Sequence, residues 1–332
     1  MVLIFSIVND YSTDIVVSLL KIKNVEVIRI NGDSGRYQFE LCDLKHKIIF
    51  YDHLLKTHVN ILDARSVWYR KCGLTHKQFK STKPEAFDNF LGSTSLIHFK
   101  TNVQSEIQRL VEFIHDECEK KDVCIGKRHL GDVNKLRVLK LAEETGHLIP
   151  STYILNDKRQ LEKILKNRHD VIITKAISDG IYHFDSRDRM AYYSKTERLT
   201  PAVIDQLPDR FGITKVQELL PKFCELRVFY FYGSCYSMAI FSQQNVNTSV
   251  DYRNYDQKSP NRCVPYVLTR SQCSKIRNLM EALGLNTGSI DFVMLHTTQL
   301  VFLEVNPVGQ FGMVDEPCNY KLHELIANKL TN

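Results

Sequence analysis

Apolar positions along the chain repeat with two different periods. Met1 to Val8 is an apolar run that reads as a buried strand, and Ile15, Val16, Leu19 and Leu20 form the stripe of a helix opened by Ser12 or Thr13. Strands are predicted at Val25–Ile30, Tyr37–Leu41, Lys47–Tyr51 and Ser66–Arg70. Val103, Ile107, Leu110, Val111 and Ile114 then recur at helical spacing. This alternation predicts an α/β domain. From near Lys121 a second segment begins, where Asn134 is placed to cap a helix carrying Leu136, Leu139 and Ala142, ended by Gly146 and Pro150. Asp170–Lys175 is β-branched and strand-like, and the polar Ser178 to Lys195 suits a loop or hairpin. The last third is strand-rich from Ile213 to Ser242 and polar and loop-like from Gln243 to Arg262. It continues with a helix on Ile276, Leu279, Met280 and Leu283, a hairpin, and a final helix around Leu322, Leu325 and Ile326.

Composition narrows the function classes. The 332 residues can form two or three domains, each with its own core. Lys and Arg number 44 against 38 Asp and Glu, a net +6 that is spread along the chain. That bias favours acidic small ligands such as nucleotides without calling for nucleic acid. Nine scattered cysteines form no CxxC pattern, which predicts a reducing, cytoplasmic setting without a disulfide framework or zinc. The apolar start lacks a basic flank and runs into Asn9 and Asp10, unlike a signal peptide. No run of about 18 apolar residues occurs, so a membrane span is not expected.

The densest chemistry lies in Gly288–Met294 and Leu300–Asn306, two strands joined by a short polar turn. Side chains alternate along a strand, so Glu304 and Asn306 share a face and Asp291 can meet them from its neighbour. Three hard oxygen donors suit Mg²⁺, which keeps waters and phosphates among its ligands. The ordinary alternative is a solvated strand face, against which stands the cost of a lone carboxylate in the apolar run around Glu304. Glu225 and Arg227 fall on one face of Glu225–Phe231, after Gln217–Leu220 and Lys222. By spacing they are either a cross-strand ion pair or groups for ribose and phosphate. Lys175 is either a phosphate ligand or a solvated strand end. Neither a GxxxxGK[ST] loop nor a strand-linked GxGxxG is present, which argues against P-loop and Rossmann sites. The segment 251–255 with Asn261 and Arg262 is polar, aromatic and basic, either a solvated loop or a surface for acidic groups through Arg253 and Arg262. Trp68 and Arg70 either line a peptide-facing cleft or belong to the core.

Taken in chain order, Asn134–Leu136, Ile149–Pro150, the ITK ending at Lys175, QELL, ELR, SIDF and FLEVNP at Phe302–Pro307 resemble the ATP-grasp ligases over about residues 120 to 330. NDYSTD at Asn9–Asp14, VWYRK at Val67–Lys71, SMAIFSQ at Ser237–Gln243 and the ending from Asn306 to Tyr320 narrow the likeness. Over nearly the whole chain it resembles the ATP-grasp peptide maturases of graspetide biosynthesis, of the grasp-with-spasm type related to microviridin ester and amide synthetases.

That resemblance implies an α/β fold of the ATP-grasp type: an N-terminal domain over 1–120, a central domain over 121–212, and a C-terminal domain over 213–332 that clamps ATP. It implies Lys135 and Lys175 at the phosphates, Glu218 and Leu220 at the adenine, and Glu225 at the ribose. Arg227 becomes the phosphate-side arginine, and Asp291, Glu304 and Asn306 the Mg²⁺ ligands. The loop after Lys175 departs from the glycine-rich form of many ATP-grasp enzymes. The implied partner is a precursor peptide with leader and core, whose Asp or Glu carboxylates are joined to Thr, Ser or Lys side chains. Two ligases with the same site stay open, one adding amino acids to a protein C-terminus and one resembling glutathione synthetase. Oligomeric state, a homodimer included, is not fixed by the sequence.

Overall fold

The computed structural model describes residues 1–71, 73–79, 93–128, 133–167, 172–178, 182–185, 190–193, 196–243 and 260–332. In chain order come β1 (Val2–Ser6), α1 (Tyr11–Ile22), β2 (Val27–Asn31), β3 (Tyr37–Asp43), β4 (Lys47–Asp52), β5 (Thr57–Asn60), β6 (Ser66–Tyr69), α2 (Ser93–Glu119) and β7 (Val123–Ile125). Next are α3 (Lys135–Glu144), β8 (Thr152–Asp157), α4 (Lys158–Asn167), β9 (Ile172–Lys175), β10 (Tyr182–Asp185), β11 (Met190–Tyr193), β12 (Glu197–Arg198) and α5 (Pro201–Asp205). The chain continues through β13 (Arg210–Glu218), β14 (Lys222–Phe231), β15 (Ser234–Phe241), β16 (Arg262–Tyr266), α6 (Arg270–Ala282), β17 (Thr287–Leu295), β18 (Leu300–Asn306), α7 (Gly312–Cys318) and α8 (Leu322–Thr331). Two compact units result, one of Met1–Gly131, Leu285–Thr287 and Pro307–Asn332, the other of Asp132–Gly284 and Gly288–Asn306.

The first unit is built on a parallel sheet of order β2-β1-β6-β7. Every residue of β1 is buried, which is why Val2 to Phe5 are apolar without alternation and Ser6 alone is polar. Leu3, Phe5, Ile30, Val67 and Ile114 share the core with Ile48 and Phe50 of the antiparallel meander β3-β4-β5. Helix α1 starts at Tyr11, before the expected Ser12 or Thr13, with Asp10 at the N-cap. The Asp10 carboxylate bonds no helix N–H; it accepts instead from Thr13 Oγ1 at 2.7 Å and Ser6 Oγ at 3.3 Å. Later stretches of chain complete this unit. Asn286 accepts from the Gly126 N–H at 2.9 Å and donates to the Cys124 carbonyl at 2.7 Å, and α8 packs on α1 and β6. The Ser66 hydroxyl donates to the Leu330 carbonyl at 2.5 Å.

Trp68 and Arg70 are interior residues, 2% and 3% exposed, rather than walls of an open cleft. The Arg70 guanidinium donates to the carbonyls of Val308 (3.0 Å) and Gly309 (2.7 Å) and lies 3.2 Å from Asp10. Its charge ties the returning end of the chain to β6, and Trp68 packs near the Phe311 ring.

The second unit holds two larger sheets. In the order β12-β9-β13-β8, all pairings are antiparallel, and Leu161, Ile172, Ile204 and Val216 form a core on one side. The other sheet has the order β16-β15-β14-β17-β18. As expected, the Asn134 side chain caps α3 by accepting from the N–H groups of Leu136 and Arg137. Gly146, at φ +85°, ends the helix in a conformation that suits glycine. The expected hairpin in 178–195 corresponds to the antiparallel pair β10-β11. Most of the expected loop from Gln243 to Arg262 lies outside the described residues, and Arg262 begins β16.

Candidate active site

The ladder of β17 and β18 sets the geometry. Asp291 pairs with Glu304 and Ser289 with Asn306, and cross-strand partners in a ladder project to the same side of the sheet. One face thus carries Ser289, Asp291, Glu304 and Asn306 as a two-by-two array of oxygen-bearing side chains. The register shifts just past Asp291, so that Phe292 pairs with Phe302 and two core phenylalanines meet next to the polar array.

Each carboxylate has its own cation. Arg227 of β14, 5% exposed, donates through Nη1 to the two oxygens of Asp291 at 2.9 and 3.1 Å. Lys175, ending β9, donates to Glu304 Oε2 at 3.1 Å. Lys135, at the first turn of α3, approaches the same oxygen at 3.8 Å and reaches the Ser178 carbonyl at 3.4 Å. Residues far apart in sequence are therefore brought together: Lys135, Lys175, Arg227, Asp291 and Glu304 form one charged cluster, with Asn306 exposed beside it.

Glu225 is 6% exposed and is satisfied from within the protein, by Lys222 Nζ at 2.5 Å and Ser242 Oγ at 2.8 Å. Glu218, on β13, accepts from the Ser151 N–H at 3.0 Å, while Leu220 offers its carbonyl to the Lys222 N–H at 2.9 Å. Both are half-buried. Arg262 is exposed on β16 with its guanidinium over the Phe241 ring, 5.7 Å from the centroid. Arg253, Asp179 and Gly180 lie outside the described residues.

Sequence reasoning passed over Lys215 and Ser242. Lys215 pairs with Lys175 across β13 and β9, and burial together with the neighbouring Lys175 brings its pKa down to about 8. The signal was present: Ile-Thr-Lys occurs twice, at 173–175 and 213–215.

The donor set suits a hard divalent cation. Among the described residues no three His, Cys, Asp or Glu side chains gather into a cage made by the protein alone. Two carboxylates and an amide carbonyl on one strand pair instead match Mg²⁺, which retains water and phosphate ligands.

No family model and no curated protein matches the sequence. Among solved structures, macrocyclase MdnC from Microcystis aeruginosa MRC, bound with precursor peptide MdnA, matches 100% of this chain and 99% of its own at TM-score 0.73 and 22% identity. A RiPP-associated ATP-grasp ligase of Chryseobacterium gregarium, in complex with ADP and a leader and core peptide, matches 99% of this chain and 94% of its own at 0.74 and 20%. Macrocyclase MdnB from Microcystis aeruginosa MRC matches 99% and 98% at 0.72 and 20%. The chain has the ATP-grasp fold. In ATP-grasp terms, the likeness extends over the first unit as well as over the two sheets of the second. Among the described residues, no helix is long and apolar enough to cross a membrane.

Proposed function

We propose that this protein is an ATP-dependent peptide macrocyclase, joining Asp or Glu carboxylates of a ribosomally made precursor to Thr or Ser hydroxyls or Lys amines. The observation that carries the reading is the cluster in which Lys135, Lys175 and Arg227 meet Glu304 and Asp291, within a fold matched along its full length. The similar structures include one bound with a precursor peptide and one in complex with ADP and a leader and core peptide, which supports a peptide substrate and ATP here. A three-part division into 1–120, 121–212 and 213–332 and a cytoplasmic location belong to the same reading.

Asp291, Glu304 and Asn306 would hold Mg²⁺, which when bound offsets negative charge on the phosphates. Lys135, Lys175 and Arg227 supply fixed positive charge where the γ-phosphoryl group is transferred. A substrate carboxylate oxygen attacks the γ-phosphorus, ADP leaves, and an acyl phosphate forms. The hydroxyl or amine then attacks the acyl carbon and loses its proton, and inorganic phosphate leaves. The acyl phosphate is open to hydrolysis, so the second nucleophile has to be held close and water kept out. Glu218 and Leu220 border the adenine and Glu225 the ribose in this reading, with Arg262 and Arg253 as contacts for acidic groups of the peptide.

The test is incubation of the full chain with ATP, Mg²⁺ and its precursor, followed by intact-mass spectrometry. Loss of one water per link supports the reading, and mild alkali restores that water to esters but not to amides. Mass that rises by amino-acid increments replaces it with a C-terminal amino-acid ligase. ATP consumption with an unchanged peptide mass removes it.

A further inference from the structure

We propose that Lys215 is a third cationic ligand for the phosphate chain of the nucleotide, beside Lys135 and Lys175. The inference rests on the ATP reading above and adds a residue that neither the motifs nor the spacing singled out.

The repeated Ile-Thr-Lys gives the geometry. β9 and β13 run antiparallel with Lys175 opposite Lys215, so the two side chains leave the sheet on the same side as direct neighbours. The next residue, Val216, is buried in the core with Leu161, Ile172 and Ile204. Lys215 therefore projects from the opposite face, the one on which Lys175 reaches Glu304.

Lys215 is also unusually enclosed, at 3% exposed, where a lysine ordinarily carries its ammonium out to water. Among the described residues its ammonium donates no hydrogen bond, and the one carboxylate acting on it is Glu304, which Lys175 and Lys135 already approach. Lys175 and Lys215 are thus cross-strand partners of like charge on one face, with Lys135 close to the same Glu304 oxygen, and like charges directly opposite cost stability. The lowering of the Lys215 pKa to about 8, by burial first and Lys175 second, records the same strain. An anion entering this face would offset it. A single peptide carboxylate can meet one or two of these ammonium groups, whereas a polyphosphate carries several charges in a row and can meet all three, which favours the nucleotide tail.

The experiment uses full-length wild type, Lys215→Met and Lys215→Arg. Calorimetric titration with adenylyl imidodiphosphate and Mg²⁺, with ADP, and with adenosine is combined with thermal melting without nucleotide. Lys215→Met should bind both phosphorylated ligands about ten- to a hundredfold more weakly and adenosine as wild type does, while Lys215→Arg recovers most of the affinity. Without nucleotide, Lys215→Met should melt no lower than wild type, because it removes a buried charge of nearly the same shape. Unchanged affinity for the phosphorylated ligands overturns the proposal. So does an equal loss for adenosine, or a lower melting temperature, either of which makes Lys215 a structural residue. A wild-type protein that binds none of the three ligands removes the ATP reading itself and this inference with it.

Discussion

Asp291 and Glu304 stand directly opposite each other in the β17–β18 ladder, and each is held by a cation from a different strand. Two carboxylates so placed repel, and Arg227 and Lys175 offset that repulsion at contact distance. The array is a set of opposed charges in which every member is exposed to the loss of its partner.

Glu304→Gln and Asn306→Ala should abolish turnover while leaving the fold largely intact, because neither side chain belongs to the apolar core. ADP release measured together with far-ultraviolet circular dichroism checks this. Near-wild-type ADP release by both variants would remove the Mg²⁺ assignment.

Arg227→Met should destabilise the protein by about 3 kcal/mol, since it leaves Asp291 without its guanidinium in a mostly enclosed site. Adding Asp291→Asn should return a large part of that loss, because the stranded charge goes too. Urea unfolding of the two single variants and the double completes a mutant cycle. Strictly additive effects would show that the contact is not energetically coupled.

Glu225→Gln and Lys175→Ala should separate the two ends of the nucleotide. The first weakens adenosine and ATP alike through the ribose, and the second weakens ATP alone, each by about tenfold or more. An adenosine affinity that Glu225→Gln leaves unchanged would assign Glu225 to contacts within the protein such as Lys222 and Ser242.

His115 makes the first unit sensitive to acid. It is 2% exposed; its Nε2 accepts from the Leu74 N–H at 3.2 Å, so in the neutral ring the proton sits on Nδ1, 2.7 Å from the Tyr69 hydroxyl oxygen. Burial, and secondarily Arg128, brings its pKa down to about 3. An unfolded histidine takes up its proton near pH 6.5, well before the folded one does. The stability that depends on a neutral His115 is therefore complete above about pH 6.5 and drains away as pH falls toward 3, by roughly 3 kcal/mol at pH 4. Urea midpoints from pH 7 to 4 should fall more steeply for wild type than for His115→Gln. Parallel curves would contradict the assignment.

The strands and helices that sequence periodicity exposed were those with long apolar patterns. Val2–Ser6, the α2 stripe around Ile107 and Ile114, and the β17–β18 hairpin follow from it directly. Elements that owe their existence to neighbours left no such pattern: β7 has three residues, β12 two, and β5 is polar and largely exposed. The α4 helix does carry an apolar stripe, Leu161, Ile164 and Leu165, and was readable but unread. At the site, the oxygen donors were visible because alternation along one strand pair suffices to group them. For Lys215 the repeated Ile-Thr-Lys was only a hint, because it takes the antiparallel register of β9 and β13 to make the two distant lysines neighbours. Arg70 misled in the opposite direction, since a charged residue beside a tryptophan gives no sign that backbone carbonyls of Val308 and Gly309 await it.

Synthesis order acquires a meaning from the way Leu285–Thr287 and Pro307–Asn332 return to the first unit. Helix α8, which packs on α1 and β6, leaves the ribosome only after the strands that carry Asp291 and Glu304. The part of the chain made first is thus among the last to be finished. Nascent chains halted before α7 would leave the α1 and β6 surfaces uncovered, and because Gly288–Asn306 emerges before Pro307–Asn332, the unit that carries Asp291 and Glu304 can be completed ahead of the unit that precedes it in the chain.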